Sequence, residues 1–389
     1  MEECYDIIIV GGGIHGAGAA QAAAAQGFTT LLLEQNEIAS GTSSRSSKLI
    51  HGGLRYLESA QFALVRECLQ ERSILLKLAP DLVKLIPCHI PVYKQTTRPA
   101  WKLKTGLALY GVLCGLRPES RFKTLARHQW QHLDGLRTQE LTTVLQYWDA
   151  QTDDAALTKA VLHSAQSLGT EVRCPATLTH AHQEGQHWNI QYQSANINKH
   201  CRSRWLINAA GPWVNELIKR ISPTPPKSEI ELIQGTHLII DKPTQAGLYY
   251  VEAPRDRRAV FVIPWKGKHT LIGTTETPYS GDPGKLTPLQ EEVDYLLETY
   301  HHYFDQNEPE NILSQFAGLR VLPASSGHAF HRPRDTSFAM SDSLPGVSTI
   351  YGGKLTAYRA TSEKLIKLIT PYLPARTPKA RTDSLFLSA

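Results

Sequence analysis

The sequence predicts an α/β fold in two parts: a discontinuous, Rossmann-like domain of strand–helix units, interrupted by a mixed, largely antiparallel sheet. Three observations carry this reading. The first 34 residues run strand, glycine turn, helix, strand, acid. From Ile230 to Thr275 the pattern changes to short consecutive strands with polar turns, which is antiparallel in style. Near Val347 the chain returns to a strand, a glycine pair and a helix. The expected boundaries are 1–90, 150–225 and 341–372 for the first domain, 91–149 and 226–340 for the second, and 373–389 for a short tail.

Tyr5 to Val10 is a short apolar run and reads as a buried strand. Gly11 to Gly16 form the turn, and Ala17 to Gln26, nearly all Ala and Gln, are strong helix formers stopped by Gly27. Phe28 to Leu33 is the second strand, ended by Glu34, and Ser40 to Lys48 is a loop of small hydroxyls. Helical spacing of apolar residues predicts a helix over Phe62–Leu78. Pro87 and Pro91 bound a short strand, and Trp101 to Leu116 read as a helix. Asp153 to Leu168 read as another, with an acidic first turn that suits the helix dipole. Three strand-like runs lead to Trp205–Ala209 and the turn at Ala210-Gly211-Pro212. Strands are then expected at Glu231–Ile240, Gly247–Glu252, Ala259–Pro264 and His269–Gly273, and a helix at Thr287–Tyr300. Phe316–Val321, Ser337–Met340 and Val347–Tyr351 are the last strands, and Gly352-Gly353-Lys354 should open a helix running to about Ile369.

The turn supplies the first chemistry. Gly11, Gly13 and Gly16 match G-x-G-x-x-G: the first allows the tight turn, the second lets backbone approach a pyrophosphate, and the third lets helix and strand pack closely. The helix N-terminus offers that phosphate free N–H groups and partial positive charge. Glu34 follows 18 residues after Gly16, placed to accept bonds from ribose hydroxyls and to repel a 2′-phosphate. NAD and FAD are equal candidates on these residues.

Composition removes other classes. With 389 residues, 41% hydrophobic and 20% charged, the chain is not disordered and needs no disulfides. Its six cysteines form no C-x-x-C pair, which argues against zinc ribbons and iron–sulfur clusters. No apolar stretch reaches the roughly 18 residues that span a bilayer, and the acidic N-terminus is not a signal peptide. A cytoplasmic protein is expected, peripheral on the cytoplasmic face of the inner membrane if it touches one. The formal net charge is +5, but residues 94–127 alone hold eight bases and one acid, a local excess that suits an anionic surface. Nucleic acid is a poor fit, because no recognised motif is present.

Longer motifs separate the two cofactors. Thr42 to Leu57 (TSSRSSKLIHGGLRYL), Arg98-Pro99-Ala100-Trp101, Asn208 to Val214, Phe261 to Trp265, Ile272 to Thr275 and Tyr351 to Arg359 resemble, in order, the FAD-dependent glycerol-3-phosphate dehydrogenases of the aerobic, quinone-linked type. The resemblance covers roughly residues 5–372. It implies FAD, held by Gly11, Gly13, Gly16, Glu34, Thr42, Ser43, Ser44, Ser47, Lys48, Leu49, His51, Gly211, Gly352, Gly353, Lys354, Leu355 and Thr356. It also implies phosphate recognition by Arg55, Tyr56, Arg334 and Lys354, with Arg320 beside them. There are three departures: family members continue with a helical domain of on the order of 100 residues, whereas this chain stops soon after Pro371; His15 stands where the family often has Asn; and Gln151 interrupts the similar stretch Tyr147–Leu157.

The implied reaction is oxidation of sn-glycerol 3-phosphate to dihydroxyacetone phosphate, with electrons passed to a membrane quinone. Two alternatives stand beside it, an oxidase that reduces O2 to H2O2 and a non-catalytic FAD-binding paralogue. An alcohol oxidation needs a base. His51 and His237 are the candidates, because an imidazole accepts a proton near neutral pH. Arg320, a charge in an apolar stretch, is expected to orient the C2 hydroxyl and cannot itself be the base. Expected partners are glycerol 3-phosphate, a quinone and an anionic membrane met by residues 94–127; a homodimer is one assembly left open.

Overall fold

The computed structural model describes residues 3–115, 120–305, 310–324 and 336–388. The chain opens with β1 (Cys4–Val10), α1 (Ile14–Ala25) and β2 (Thr30–Leu33), followed by β3 (Leu49–Ile50), α2 (Phe62–Leu78), β4 (Val83–Tyr93) and α3 (Ala100–Leu113). Next come β5 (Lys123–Thr124), β6 (Leu141–Thr152), α4 (Asp154–Ser167), β7 (Glu171–Arg173), β8 (Thr177–Glu184), β9 (His187–Ser194), β10 (Ile197–Asn208) and α5 (Val214–Ile218). A third stretch holds β11 (Ile221–Ser222), β12 (Ile230–Ile240), β13 (Leu248–Glu252), β14 (Ala259–Trp265), β15 (His269–Gly273) and β16 (Thr277–Tyr279). The chain closes with α6 (Gln290–Tyr303), β17 (Ile312–Pro323), β18 (Ser337–Ser341), β19 (Leu344–Tyr351) and α7 (Tyr358–Ile369).

These strands form two sheets. The first runs β11-β8-β9-β10-β1-β2-β7, with β19 on β10 and β18 on β19. Its centre is parallel: β1 pairs with both β10 and β2, and β10 with β19. A parallel centre covered on both faces needs continuous apolar strands, and Tyr5–Val10 is buried throughout. Helix α1 packs against α4 and α7, and nearly all of it is buried. Its Ala and Gly composition permits this: a Cβ on Gly18 would lie 2.5 Å from Ser362 Oγ. The second sheet runs β16-β12-β15-β14-β13-β4-β6-β3, with β17 on β12 and β5 on β6.

Most expected elements are present, and four details differ. β3 and β4 belong to the second sheet, so boundaries at 90 and 150 cut through β4 and β6. The two prolines lie inside one strand rather than at its ends, beside a β13 partner that reaches only Cys88 and His89. Helix α6 starts three residues later than Thr287, because Pro288 disfavours a helical residue before it. Gly352-Gly353-Lys354 does not itself open a helix; a turn with Ala357 N–H on the Lys354 carbonyl intervenes before α7. The tail is ordered: Lys379 and Ala380 N–H groups cap the Ala25 carbonyl, and Arg376 pairs with Asp6 at 2.8 Å. Among the described residues no helix is long and apolar enough to cross a membrane.

Candidate active site

The glycine turn is held by close packing. Gly11 has φ +116°, and a Cβ there would lie 2.5 Å from the Ala209 carbonyl oxygen. A Cβ on Gly16 would sit 1.8 Å from the Gly11 carbonyl oxygen, and one on Gly13 3.1 Å from Ser43 Oγ. Ser43 Oγ accepts the Ile14 N–H at 2.9 Å, in the first turn of α1. Glu34 ends β2 as expected and also braces the turn: its carboxylate accepts Gly12 N–H at 2.6 Å and Asn36 N–H at 2.8 Å.

A cavity of about 440 Å³ lies along this end, lined by Gly11, Gly13, Glu34, Thr42 and Ser43. It shares Gly13, Thr42, Ser43, Ala209 and Gly211 with a second cavity of about 320 Å³. The second cavity is walled by His15, Ser47, Leu49, His51, Arg55, Tyr56, His237, Arg320 and residues 352–356. The two sheets therefore bring most of the expected site residues together, across 345 positions from Gly11 to Thr356. Ser44 and Lys48 do not line either cavity. Lys48 is buried in an ion pair with Asp154 at 2.5 Å and donates to the Ser44 carbonyl at 2.5 Å. Arg334 lies outside the described residues.

The far end of the second cavity is cationic. Arg320 Nη1 pairs with Glu276 Oε1 at 2.7 Å, and its Nη2 donates to the Thr275 carbonyl at 2.5 Å. Arg55 Nη1 is 3.9 Å from the same Glu276 oxygen. Lys354 Nζ lies 5.1 Å from the centre of the Tyr56 ring, with the Arg55 guanidinium at 5.5 Å. Glu276 was not read from the sequence; its only signal was the neighbouring Gly273-Thr274-Thr275 motif.

Three imidazoles face the same space. His51 is held by its main chain, whose N–H donates to Thr356 Oγ1 at 3.1 Å. His237 Nε2 lies 2.9 Å from Ser47 Oγ, and its ring stacks on Phe316 at 5.0 Å. Burial above all, then the charges of Lys48 and Arg320, lower its pKa to about 3. Burial lowers His15 to about 4, and its Nδ1 has no hydrogen-bond partner among the described residues. His15 packs on Gly353, where a Cβ would lie 2.0 Å from Nε2.

The chemistry of these residues suits FAD. The turn would give a phosphate the N–H groups of the first turn of α1 that follow Ile14, Glu34 keeps lone pairs for a ribose, and His15, whose buried Nδ1 has no hydrogen-bond partner among the described residues, lines the second cavity. Comparison with known proteins agrees. Residues 6–359 match the family model of FAD dependent oxidoreductases. A glycerol-3-phosphate dehydrogenase of Pseudomonas aeruginosa is 37% identical over 98% of this chain and 75% of its own. A D-erythritol 1-phosphate dehydrogenase of Brucella abortus is 33% identical over 93% of this chain and 73% of its own. The crystal structure of a Bacillus halodurans glycerol-3-phosphate dehydrogenase complexed with FAD superposes with a TM-score of 0.77 at 26% identity, covering 100% of this chain and 68% of that one.

Proposed function

This chain belongs to the FAD-dependent oxidoreductase family, in its glycerol-3-phosphate dehydrogenase branch, and we propose on that footing that it oxidises sn-glycerol 3-phosphate to dihydroxyacetone phosphate. The observation that carries the substrate is the cluster of Arg55, Arg320 and Lys354 around one end of the cavity that His51 and Gly353 also line. Guanidinium forks and an ammonium suit a phosphomonoester.

Bound FAD supplies the hydride acceptor. The residues of the chain do the rest. Arg55, Tyr56 and Lys354 hold the phosphate, and Arg320, anchored by Glu276 and the Thr275 carbonyl, orients the C2 hydroxyl. Gly352 and Gly353, both at positive φ, line the cavity, and their backbone N–H groups would give it a fixed polar edge. His51 takes the hydroxyl proton. His237 is the weaker candidate, because a base with a pKa of about 3 has little hold on an alcohol proton at neutral pH and its Nε2 is already engaged by Ser47. Anaerobic mixing tests the whole reading: sn-glycerol 3-phosphate should bleach the yellow protein, and glycerol should not. Bleaching only by D-erythritol 1-phosphate would reassign the substrate.

Electrons then pass to a membrane quinone, at the surface that carries α3. That helix buries Leu107, Tyr110 and Gly111 and leaves Trp101 70% and Val112 57% exposed. Its basic character is smaller than the sequence count of residues 94–127, because Arg98 pairs with Glu58 and Glu252, Lys102 with Glu58, and Lys94 with Glu140. The apolar positions matter correspondingly more, as in interfacial helices. Trp101→Ser with Lys104→Glu should release the protein from anionic vesicles at low salt and slow quinone reduction. Dye reduction should be unaffected. Wild-type protein that ignores such vesicles would sink this part of the reading.

A further inference from the structure

Arg72 on α2, Tyr110 on α3 and Asp149 on β6 meet beside the second cavity, and all three are buried. Arg72 Nη1 donates to Asp149 Oδ1 at 2.6 Å and to the Trp148 carbonyl at 2.7 Å. The Tyr110 hydroxyl lies 3.0 and 3.1 Å from the two Asp149 oxygens. The last member is main chain: Gly52 N–H donates to the Tyr110 oxygen at 2.9 Å, with Asp149 Oδ1 at 3.3 Å. Burial first, then the Asp149 charge, push the Tyr110 pKa well above the usual phenol range. The hydroxyl therefore keeps the proton it donates to Asp149 while it accepts from Gly52.

Such a cluster is a poor source of stability. Buried ion pairs replaced by apolar residues of equal volume are often neutral or stabilising. The surrounding apolar core already joins the three elements through Leu69, Leu107 and Leu145. What the polar cluster adds is a fixed Gly52. The next residue, Gly53, has φ +71°, and two glycines in a row leave a backbone with wide freedom unless something holds it. On one side of this pair is His51. On the other is the short 3₁₀ turn Leu54–Leu57, which carries Arg55 and Tyr56. Gly52 itself has no room to move toward α2 or α3: a Cβ there would lie 2.5 Å from both Leu69 Cδ2 and the Tyr110 oxygen.

We propose that Asp149, Tyr110 and Arg72 are positioning residues for the reaction, which hold the Gly52–Gly53 hinge so that His51, Arg55 and Tyr56 reach the substrate together. The proposal rests on the reading of this cavity as a polyol-phosphate site. None of the network's hydrogen bonds reaches the glycine turn around Gly11, so FAD anchored there should stay in place.

Tyr110→Phe removes one hydroxyl and keeps the ring. In the FAD-loaded variant, KM for sn-glycerol 3-phosphate should rise at least tenfold. The Kd of inorganic phosphate, read as a perturbation of the flavin absorption band, should rise similarly, while FAD content stays unchanged. Arg72→Lys keeps the charge but loses the fork, and should show the same KM change at smaller size; it serves as well if Tyr110→Phe does not fold. A lowered Tm with wild-type KM and phosphate affinity would make the cluster a packing element and overturn the proposal. Wild-type protein that is not reduced by sn-glycerol 3-phosphate would overturn the functional reading instead, and the phosphate titration would still report on the hinge.

Discussion

Arg320→Ala is expected to lower kcat/KM for sn-glycerol 3-phosphate by about 100- to 1000-fold while the protein stays yellow. Removing one positioned donor from a reaction site typically costs about 2.7–4 kcal/mol, which is about 100- to 1000-fold in rate. Part of that cost is specific to this site. Glu276, 8% exposed, would lose its 2.7 Å partner and remain as a negative charge beside the place proposed for a phosphate. The defect should therefore appear in both KM and kcat, and Arg320→Ala with Glu276→Gln should recover part of the KM loss. Arg320→Lys should recover less than charge alone would suggest. An ammonium cannot span Glu276 and the Thr275 carbonyl as the guanidinium does, in a space that Gly235 leaves open. In this reading the residue contributes nothing to FAD binding, because its guanidinium is engaged by Glu276 and the Thr275 carbonyl rather than by the glycine turn. Steady-state kinetics with a dye acceptor, beside the visible spectrum, are sufficient. Normal turnover in Arg320→Ala would remove it from the site.

The parts of this site that could be read from sequence are those whose physics is local. The glycine turn announces itself because three positions along six residues must lack a Cβ, and helices with regular apolar spacing announce themselves in the same way. Phe62–Leu78 was legible to the residue, and the helix expected at Asp153–Leu168 forms as Asp154–Ser167 with Asp153 as its cap. The long motifs supplied Arg55, Tyr56 and Lys354 through resemblance, not through spacing. What stayed hidden is long-range. Asp149 meets Arg72 across 77 positions and Gly52 across 97, and nothing in the composition around any of them marks the meeting. Glu276 is legible only as a polar residue after a strand. Lys48 shows the converse: the resemblance implies a cofactor contact for this motif residue, and its side chain is engaged in neutralising Asp154 at the start of α4. A pairing partner so far along the chain cannot be inferred from the motif that contains the lysine.

Gly16→Ala should yield protein without FAD. One methyl group is normally a small perturbation, and overpacking a core by a methylene costs typically 1–3 kcal/mol because neighbouring side chains shift. Here the neighbour is not a side chain. The added Cβ would stand 1.8 Å from the Gly11 carbonyl oxygen and 3.0 Å from its carbon. Relief requires either that α1 move away from the end of β1 or that the Gly11 peptide rotate. Helix α1 is buried against α4 and α7 and capped at its far end by the tail through Ala25, so it has little room to retreat. The turn must deform instead. Gly11 N–H donates to the Leu33 carbonyl at 2.8 Å and Gly12 N–H to Glu34 at 2.6 Å, so a rotated turn also releases Glu34 from its place. The pyrophosphate cradle and the ribose acceptor are then lost together. Glu34→Gln separates the two contributions, since it leaves α1 where it is while it weakens the ribose acceptor and gives up one of the two N–H bonds that Glu34 accepts. It should therefore retain some FAD at raised Kd, where Gly16→Ala retains none at any practical concentration. The measurement is the ratio of flavin to protein absorbance after gel filtration, with far-UV circular dichroism to confirm that both variants keep their secondary structure. A Gly16→Ala protein that is folded and fully yellow would mean that the cofactor does not depend on the close approach of α1 to β1.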